Sequence, residues 1–138
     1  MNTIIQELVN LHGLWRWVVA LVAIVALVKF LMGWFGNKQV TSQDKMIGTA
    51  FSSVMSIQFV VGLINLIGYF AIGAFNPRVH MEHAVYGLVA VGLSHALPLR
   101  KDDRPDVARF RTSAIMIIVA LVLTVLSVLR LRGGWVWG

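Results

Sequence analysis

Residues 11–35 read LHGLWRWVVALVAIVALVKFLMGWF, a stretch interrupted by only two charged side chains, Arg16 and Lys29. Crossing the hydrocarbon core of a bilayer takes about 20 residues of apolar helix, so this stretch predicts a transmembrane helix. Glu7, rather than a basic residue, precedes it, and no small-residue cleavage site follows. These features favour a permanent first span over a cleaved signal peptide.

The composition of the whole chain points the same way. The chain has 138 residues, of which 58% are hydrophobic and 13% charged, whereas a typical soluble domain is about 25% charged. So few polar residues cannot cover the surface of a small soluble domain, and we expect one integral-membrane domain over residues 1–138. The absence of cysteine excludes cysteine metal sites, iron–sulfur clusters and thiol catalysis.

Three further apolar segments predict three further spans, so the expected fold is an all-α four-helix bundle in the membrane. The third segment is short and crosses a bilayer only if His80–His83 lie within its helix. Thr41-Ser42-Gln43-Asp44 resembles a helix N-cap region, and Asn76-Pro77 is expected to end the second span after a frayed exit at Gly68 and Gly73. The four expected spans are about 11–35, 47–75, 81–99 and 112–131.

Basic residues predict the orientation of the bundle, because an excess of Lys and Arg marks the cytoplasmic face. The loops after spans one and three hold most of them, so we expect both termini outside, in the periplasm, with the chain in a bacterial cytoplasmic (inner) membrane. Trp15, Trp17 and the tail 133–138 would then lie at the outer interface. Nucleic-acid binding is not expected despite the net charge of +6, because no basic stripe runs through exposed polar surface. The basic residues on the expected inner side are Lys29, Lys38, Lys45, Arg100, Lys101, Arg104, Arg109 and Arg111, against Arg16, Arg78, Arg130 and Arg132 on the other side.

Two histidines are the leading candidates for chemistry. His12 and His83 each open an inward-going span within a weak internal repeat, which places them at equal depth on different helices. Four-helix membrane bundles bind haem b between two such imidazoles, so His12 and His83 are candidate ligands of a haem iron. Arg16 lies one helical turn after His12 on the same face. An arginine at that depth in lipid usually has a partner, and the candidates are a haem propionate, Glu7, Glu82 and a lipid phosphate. The alternative is that Arg16 extends back to the lipid headgroups.

Other polar residues leave alternatives open. His95 lies about 120° around the helix from His83, a poor position for a second haem, and packing or hydrogen bonding is the expected role. Gln58 and Asn65 share one face of span two. They predict hydrogen bonds between helices, with a quinone or proton contact as the alternative. His12, His80 and His83 could instead hold Zn or Cu.

The chain resembles a family of small bacterial four-span membrane proteins described as b-type-cytochrome-like. The resemblance implies a bundle with haem ligands at His12 and His83 and a further candidate at His95. Ala84 departs from the pattern, in which proline is expected after Glu-His. The similar stretches are Leu-His-Gly-Leu-Trp-Arg-Trp (11–17), Thr-x-x-Asp-Lys (41–45), Gln-x-x-x-Gly-Leu (58–63), Glu-His (82–83) followed by His95, and Ala-Arg-Phe-Arg (108–111).

The function that these features predict is a small electron-transfer subunit with one haem b near the outer face, within a larger membrane redox complex. No catalytic activity of its own is expected. The alternative is a cofactor-free accessory or structural subunit of a respiratory or photosynthetic membrane complex, and a transporter or channel is less favoured. The expected partners are the lipid bilayer and other membrane subunits or further copies of the chain.

Overall fold

The structure is a computed structural model that describes residues 3–99 and 103–132. These residues form four α-helices and no strand, which confirms the all-α prediction. Arg100, Lys101 and the tail 133–138, which entered the orientation argument, lie outside the described residues. The helices are α1 (Thr3–Phe35), α2 (Ser42–Ala71), α3 (Pro77–His95) and α4 (Asp106–Arg132).

Three of these helices are long and apolar enough to cross a membrane: α1, α2 and Asp106–Arg130 of α4. The chain is therefore suited to a bilayer. The helix α3 has 19 residues, enough for about 28 Å of rise, and His80 to His83 lie within it as its predicted span requires. Its first two turns contain Arg78, His80, Glu82 and His83, and it is not among the three helices named above. Its crossing of the membrane, like the orientation of the termini, stays a prediction.

The first helix extends beyond the expected span. It begins at Thr3 rather than near residue 11 and has 33 residues, which gives a length of about 50 Å against about 30 Å for a hydrocarbon core. Gln6 Nε2 donates to Asn10 Oδ1 at 3.2 Å one turn later. These first turns contain polar residues but no helix breaker, so the helix continues past the apolar stretch.

The turns between helices follow local chemistry. Thr41 is the N-cap of α2 and forms a capping box with Asp44, as predicted from that stretch. The expectation for Asn76-Pro77 is wrong: α2 already ends at Ala71, and Gly73 adopts φ +74° in the turn. Asn76 instead caps the start of α3, with Pro77 at its first turn. Proline is well suited there, because the first helical position needs no N–H donor.

The helices form a ring in which each contacts two neighbours. Both α1 and α3 pack against α2 and α4, so α1 and α3 face each other diagonally across the bundle. Because consecutive helices run antiparallel, the first halves of α1 and α3 lie at the same end as the second halves of α2 and α4. We call this end the hollow half and the opposite end the packed half.

Aromatic and small residues fill the packed half. Phe30, Phe51 and Phe110 are completely buried there, and the rings of Phe30 and Phe110 lie 6.2 Å apart. Gly33 lets the Phe110 ring approach closely, since a Cβ at this position would lie 2.6 Å from it. The smaller members of the same core are Ala23, Ala26, Ala90, Ala114, Ile117 and Ala120.

Polar contacts close the loops at the end of the packed half. Asp106 Oδ2 accepts a hydrogen bond of 2.9 Å from the backbone N–H of Val40, which joins the α1–α2 loop to the start of α4. Arg109 pairs with Asp106 at 3.3 Å and donates to the carbonyl oxygens of Pro98 and Leu99. Two residues of α4 therefore hold both loops.

Candidate functional site

The hollow half contains a cavity of about 530 Å³ to which all four helices contribute. This volume is within the range of ligand-binding sites in proteins. Val19 and Met55, which belong to the buried core, also line the cavity and separate it from the packed half. The polar residues in its wall are Gln6, His12, Arg16, Gln58, Asn65, Tyr69, His80, His83, Thr124 and Ser127.

His12 and His83 meet across the bundle. Their ring centroids are 6.1 Å apart, and the ring planes cross at 81°. The two residues lie on the diagonal helices α1 and α3, so the rings approach each other in the middle of the ring of helices. The predicted equal depth of these two side chains is confirmed, although the weak repeat that suggested it stays a prediction.

The ring of His12 is placed by close packing on α2. A Cβ at Gly62 would lie 3.0 Å from His12 Cε1, so only glycine leaves the ring its full space. Gln58, one turn earlier on α2, donates from Nε2 to the carbonyl oxygen of His12 at 3.0 Å. Gly62 therefore gives room to the ring of His12.

The ring of His83 is held by α4. Its Nδ1 atom lies 3.1 Å from the carbonyl oxygen of Ser127 and 2.6 Å from Ser127 Oγ. Ser127 is 3% exposed, and its hydroxyl also donates to the carbonyl oxygen of His83 at 3.0 Å. Nothing in the sequence distinguished Ser127 from other hydroxyl residues in the apolar run of α4.

Two amides of α2 bind the backbone of α1. Asn65 Nδ2 donates to the carbonyl oxygen of Leu8 at 3.3 Å, one turn before the bond from Gln58 to His12. These bonds confirm the predicted hydrogen bonds between helices. The amide oxygens of Gln58 and Asn65 are buried and have no hydrogen-bond partner among the described residues. Both residues line the cavity, and Asn65 is only 6% exposed.

Arg16 brings a positive charge to the cavity wall. It is 6% exposed, and its guanidinium carbon lies 5.4 Å from the centroid of the Trp17 ring. No Asp or Glu is among the described residues that line the cavity. Arg16 therefore gives the cavity wall a positively charged group, which could contact an anionic substituent of a bound ligand.

The remaining two histidines have other neighbours. His80 stacks on Tyr69 with centroids 5.0 Å apart and accepts from the N–H of Asn76 through Nδ1. It lies at the edge of the cavity. His95 Nε2 lies 2.6 Å from Ser56 Oγ. The structure thus gives His95 a hydrogen bond and does not bring it to the cavity.

The alternative of a three-histidine Zn or Cu site finds no support in this geometry. Among residues 3–99 and 103–132, no group of three or more His, Cys, Asp or Glu side chains comes together to hold a metal ion. His80 is turned toward Tyr69 and Phe75 instead. His12 and His83 are therefore the two remaining candidates for metal ligands in the cavity.

The pair suits a metal centre with two ligands on opposite sides. Imidazole nitrogens bind first-row metals at about 2.0–2.1 Å, so two opposed nitrogens lie about 4 Å apart. The ring centroids of His12 and His83 lie 6.1 Å apart, a separation that leaves room for one metal ion between the two rings. The residue types present are therefore compatible with a haem that His12 and His83 would hold, with the positive charge of Arg16 in the same wall.

Comparison with protein-family models, with characterised proteins and with solved structures gives no match. The resemblance to b-type-cytochrome-like proteins accordingly stays a prediction, and the functional argument rests on the residues of the cavity.

Proposed function

We propose that this membrane protein binds one haem b in the cavity of the hollow half and serves in electron transfer. The observation that carries the proposal is the meeting of His12 and His83, on diagonal helices, at 6.1 Å between ring centroids. Two imidazoles on separate helices at one depth are the ligand arrangement that membrane bundles use for haem b. Bound haem b would supply a centre that accepts and releases one electron.

Different residues of the cavity would contact different parts of the haem. His12 and His83 present imidazoles from opposite sides, and Arg16 supplies a buried positive charge for an anionic substituent. Val19 and Met55 close the cavity toward the packed half, which keeps water from entering through that end. The aliphatic and aromatic part of the wall, which includes Phe59, matches the apolar face of a porphyrin.

The proposed role is electron transfer rather than catalysis at the metal. When haem is bound, His12 and His83 would each supply an imidazole to it, so the chain would offer no open metal position to a substrate. We therefore expect no catalytic activity from the chain alone. Electrons would pass to and from neighbouring subunits of a larger redox complex in a bacterial cytoplasmic membrane, with the termini in the periplasm.

The test is a redox spectrum of the full chain purified in detergent and supplied with haem. We expect a Soret band that shifts on reduction and is lost in both His12→Ala and His83→Ala. His95→Ala is the matched control, because this histidine bonds to Ser56 outside the cavity, and we expect it to keep the band. Circular dichroism of each variant checks that the helices remain.

Two results would contradict the proposal. One is a chain with intact helices that shows no Soret band of bound haem after haem has been supplied and the unbound haem removed. If that chain also co-purifies with larger membrane subunits, the accessory-subunit function is supported instead. The other is a Soret band that survives in His12→Ala and His83→Ala, because haem would then be held elsewhere.

A further inference from the structure

Ser127 makes three contacts with one residue, His83. Its hydroxyl lies 2.6 Å from His83 Nδ1 and 3.0 Å from the carbonyl oxygen of His83. Its own carbonyl oxygen lies 3.1 Å from the same Nδ1 atom. Backbone and side chain of Ser127 thus converge on one side of the imidazole, in a position that is 3% exposed.

These contacts decide where the imidazole carries its proton. A carbonyl oxygen accepts hydrogen bonds and never donates them, so the contact from Nδ1 to the Ser127 carbonyl requires a proton on Nδ1. The serine hydroxyl has one proton, which it gives to the carbonyl of His83, and its oxygen accepts from Nδ1–H. In the opposite tautomer, Nδ1 and the Ser127 carbonyl would turn lone pairs toward each other.

We infer that Ser127 is a positioning residue that holds His83 in the Nδ1–H tautomer, which leaves the lone pair of the neutral ring on Nε2. Groups that accept a hydrogen bond behind a metal-binding imidazole commonly set its tautomer and orientation in this way. The role of this tautomer in binding rests on the proposed function, whereas the tautomer itself does not.

The two imidazoles are therefore placed by different means. The ring of His12 is positioned by close packing against Gly62, which has no side chain. The ring of His83 is oriented by hydrogen bonds that also select a protonation site. A neutral histidine that is already the correct tautomer loses no free energy to tautomer exchange when it binds a metal.

The direct test is nitrogen-15 NMR of the histidine rings in the full chain without haem, at a pH that keeps imidazole neutral. We expect wild-type His83 to be predominantly the Nδ1–H tautomer. Ser127→Ala removes one of the two acceptors but keeps the backbone carbonyl, so Nδ1–H should remain the major form while the Nε2–H fraction rises. Ser127→Thr restores a hydroxyl and should restore the wild-type spectrum. Ser94→Ala is the matched control, because the Ser94 hydroxyl bonds to the carbonyl of Val91 in its own helix and Ser94 does not line the cavity.

A second measurement connects the tautomer to binding. Loss of a group behind a metal-binding histidine typically weakens affinity by about 10–100-fold, so Ser127→Ala should weaken haem binding at least about tenfold while Ser94→Ala does not. Predominant Nε2–H in wild-type His83, or in Ser127→Ala, where the backbone carbonyl remains, would overturn the inference. Haem binding that is unchanged in Ser127→Ala would overturn it as well.

The failure of this inference and that of the proposed function are distinguishable. A wild-type chain with the Nδ1–H tautomer that binds no haem contradicts the proposed function and leaves the tautomer assignment standing. A chain that binds haem through His12 and His83 while unliganded His83 is the Nε2–H tautomer supports the proposed function and overturns the assignment to Ser127.

Discussion

The two halves of the bundle bury different kinds of residues. In the packed half the buried side chains are mostly apolar, with Phe30, Phe51 and Phe110 at the centre. In the hollow half, beyond Val19 and Met55 at its boundary with the packed half, the buried residues include one larger apolar side chain, Val128, together with Gly13, Arg16, Asn65 and Ser127. The packed half therefore consists of closely packed apolar side chains, whereas the hollow half has polar contacts around the cavity.

The difference shows how one short chain separates stability from binding. Lipid is as apolar as a leucine side chain, so helices in a membrane are held by close packing and by hydrogen bonds between them. The packed half supplies the close packing. In the hollow half, the bonds from Gln58 and Asn65 to α1 hold the helices while leaving the cavity open. Substitutions in the two halves should therefore have unequal effects.

The largest expected effect is that of Phe110→Ala in the packed half. The ring is fully buried, and its loss leaves a void that the surrounding helices cannot fill, so we expect the free energy of unfolding to fall by about 3 kcal/mol. Phe59→Ala, in the wall of the cavity, is the matched control and should cost less than about 1 kcal/mol. Reversible unfolding in mixed micelles measures both, and equal losses would contradict the division into halves.

The second effect is that of Gly33→Ala. The added Cβ would lie 2.6 Å from the Phe110 ring, and we expect overpacking to lower the free energy of unfolding by about 2 kcal/mol. Gly92→Ala is the control, since a Cβ there meets nothing within 4 Å. The higher helix propensity of alanine should leave that variant as stable as wild type or up to about 1 kcal/mol more stable. A stabilised Gly33→Ala would show that the ring has room to move.

A smaller effect is expected at the loops of the packed half. Asp106→Ala removes the acceptor for the Val40 N–H and the partner of Arg109. The side chain is 36% exposed, so water replaces part of what is lost, and we expect a decrease of about 1.5 kcal/mol in the free energy of unfolding. Asp103→Ala, at an exposed position of the same loop, should change stability little. Similar losses in both variants would point to loop charge rather than to these bonds.

The smallest expected effect sharpens the boundary between the halves. Trp15 Nε1 donates to the carbonyl oxygen of Val54 at 2.9 Å, and Trp15→Phe keeps most of the ring while it removes the donor. We expect a loss of about 1 kcal/mol. Trp34→Phe is the comparison, because the Trp34 ring stacks on Phe35 at 4.7 Å between centroids and phenylalanine preserves a stacked pair. If both variants lose the same free energy of unfolding, the smaller ring, rather than the lost hydrogen bond, explains the effect.

The sequence was informative where local chemistry or helical periodicity decides the structure. The N-cap at Thr41 follows from Thr41 and Asp44, which lie three positions apart. The common depth of His12 and His83 was expected from the weak internal repeat, and the two rings do meet. Asn76-Pro77 was misread because Pro both prevents the continuation of one helix and suits the start of the next. Which of the two occurs depends on where the preceding helix ends.

The rest depended on tertiary contacts that no local pattern reports. Ser127 and Thr124 look alike in sequence, but Thr124 bonds to its own helix and Ser127 bonds to His83. Arg109 entered the sequence argument only as a loop charge, whereas it binds the carbonyl oxygens of Pro98 and Leu99. In each case the packing of neighbouring helices selects the partner.

The loop contacts of Asp106 and Arg109 lie at the end farthest from the cavity, and this separation bears on how the protein is made. Because these contacts do not involve the cavity, the four helices can assemble in the membrane before a ligand binds. If haem is the ligand, as proposed, we expect newly synthesised chains to accumulate as folded apoprotein when haem is scarce, and to bind haem later without refolding.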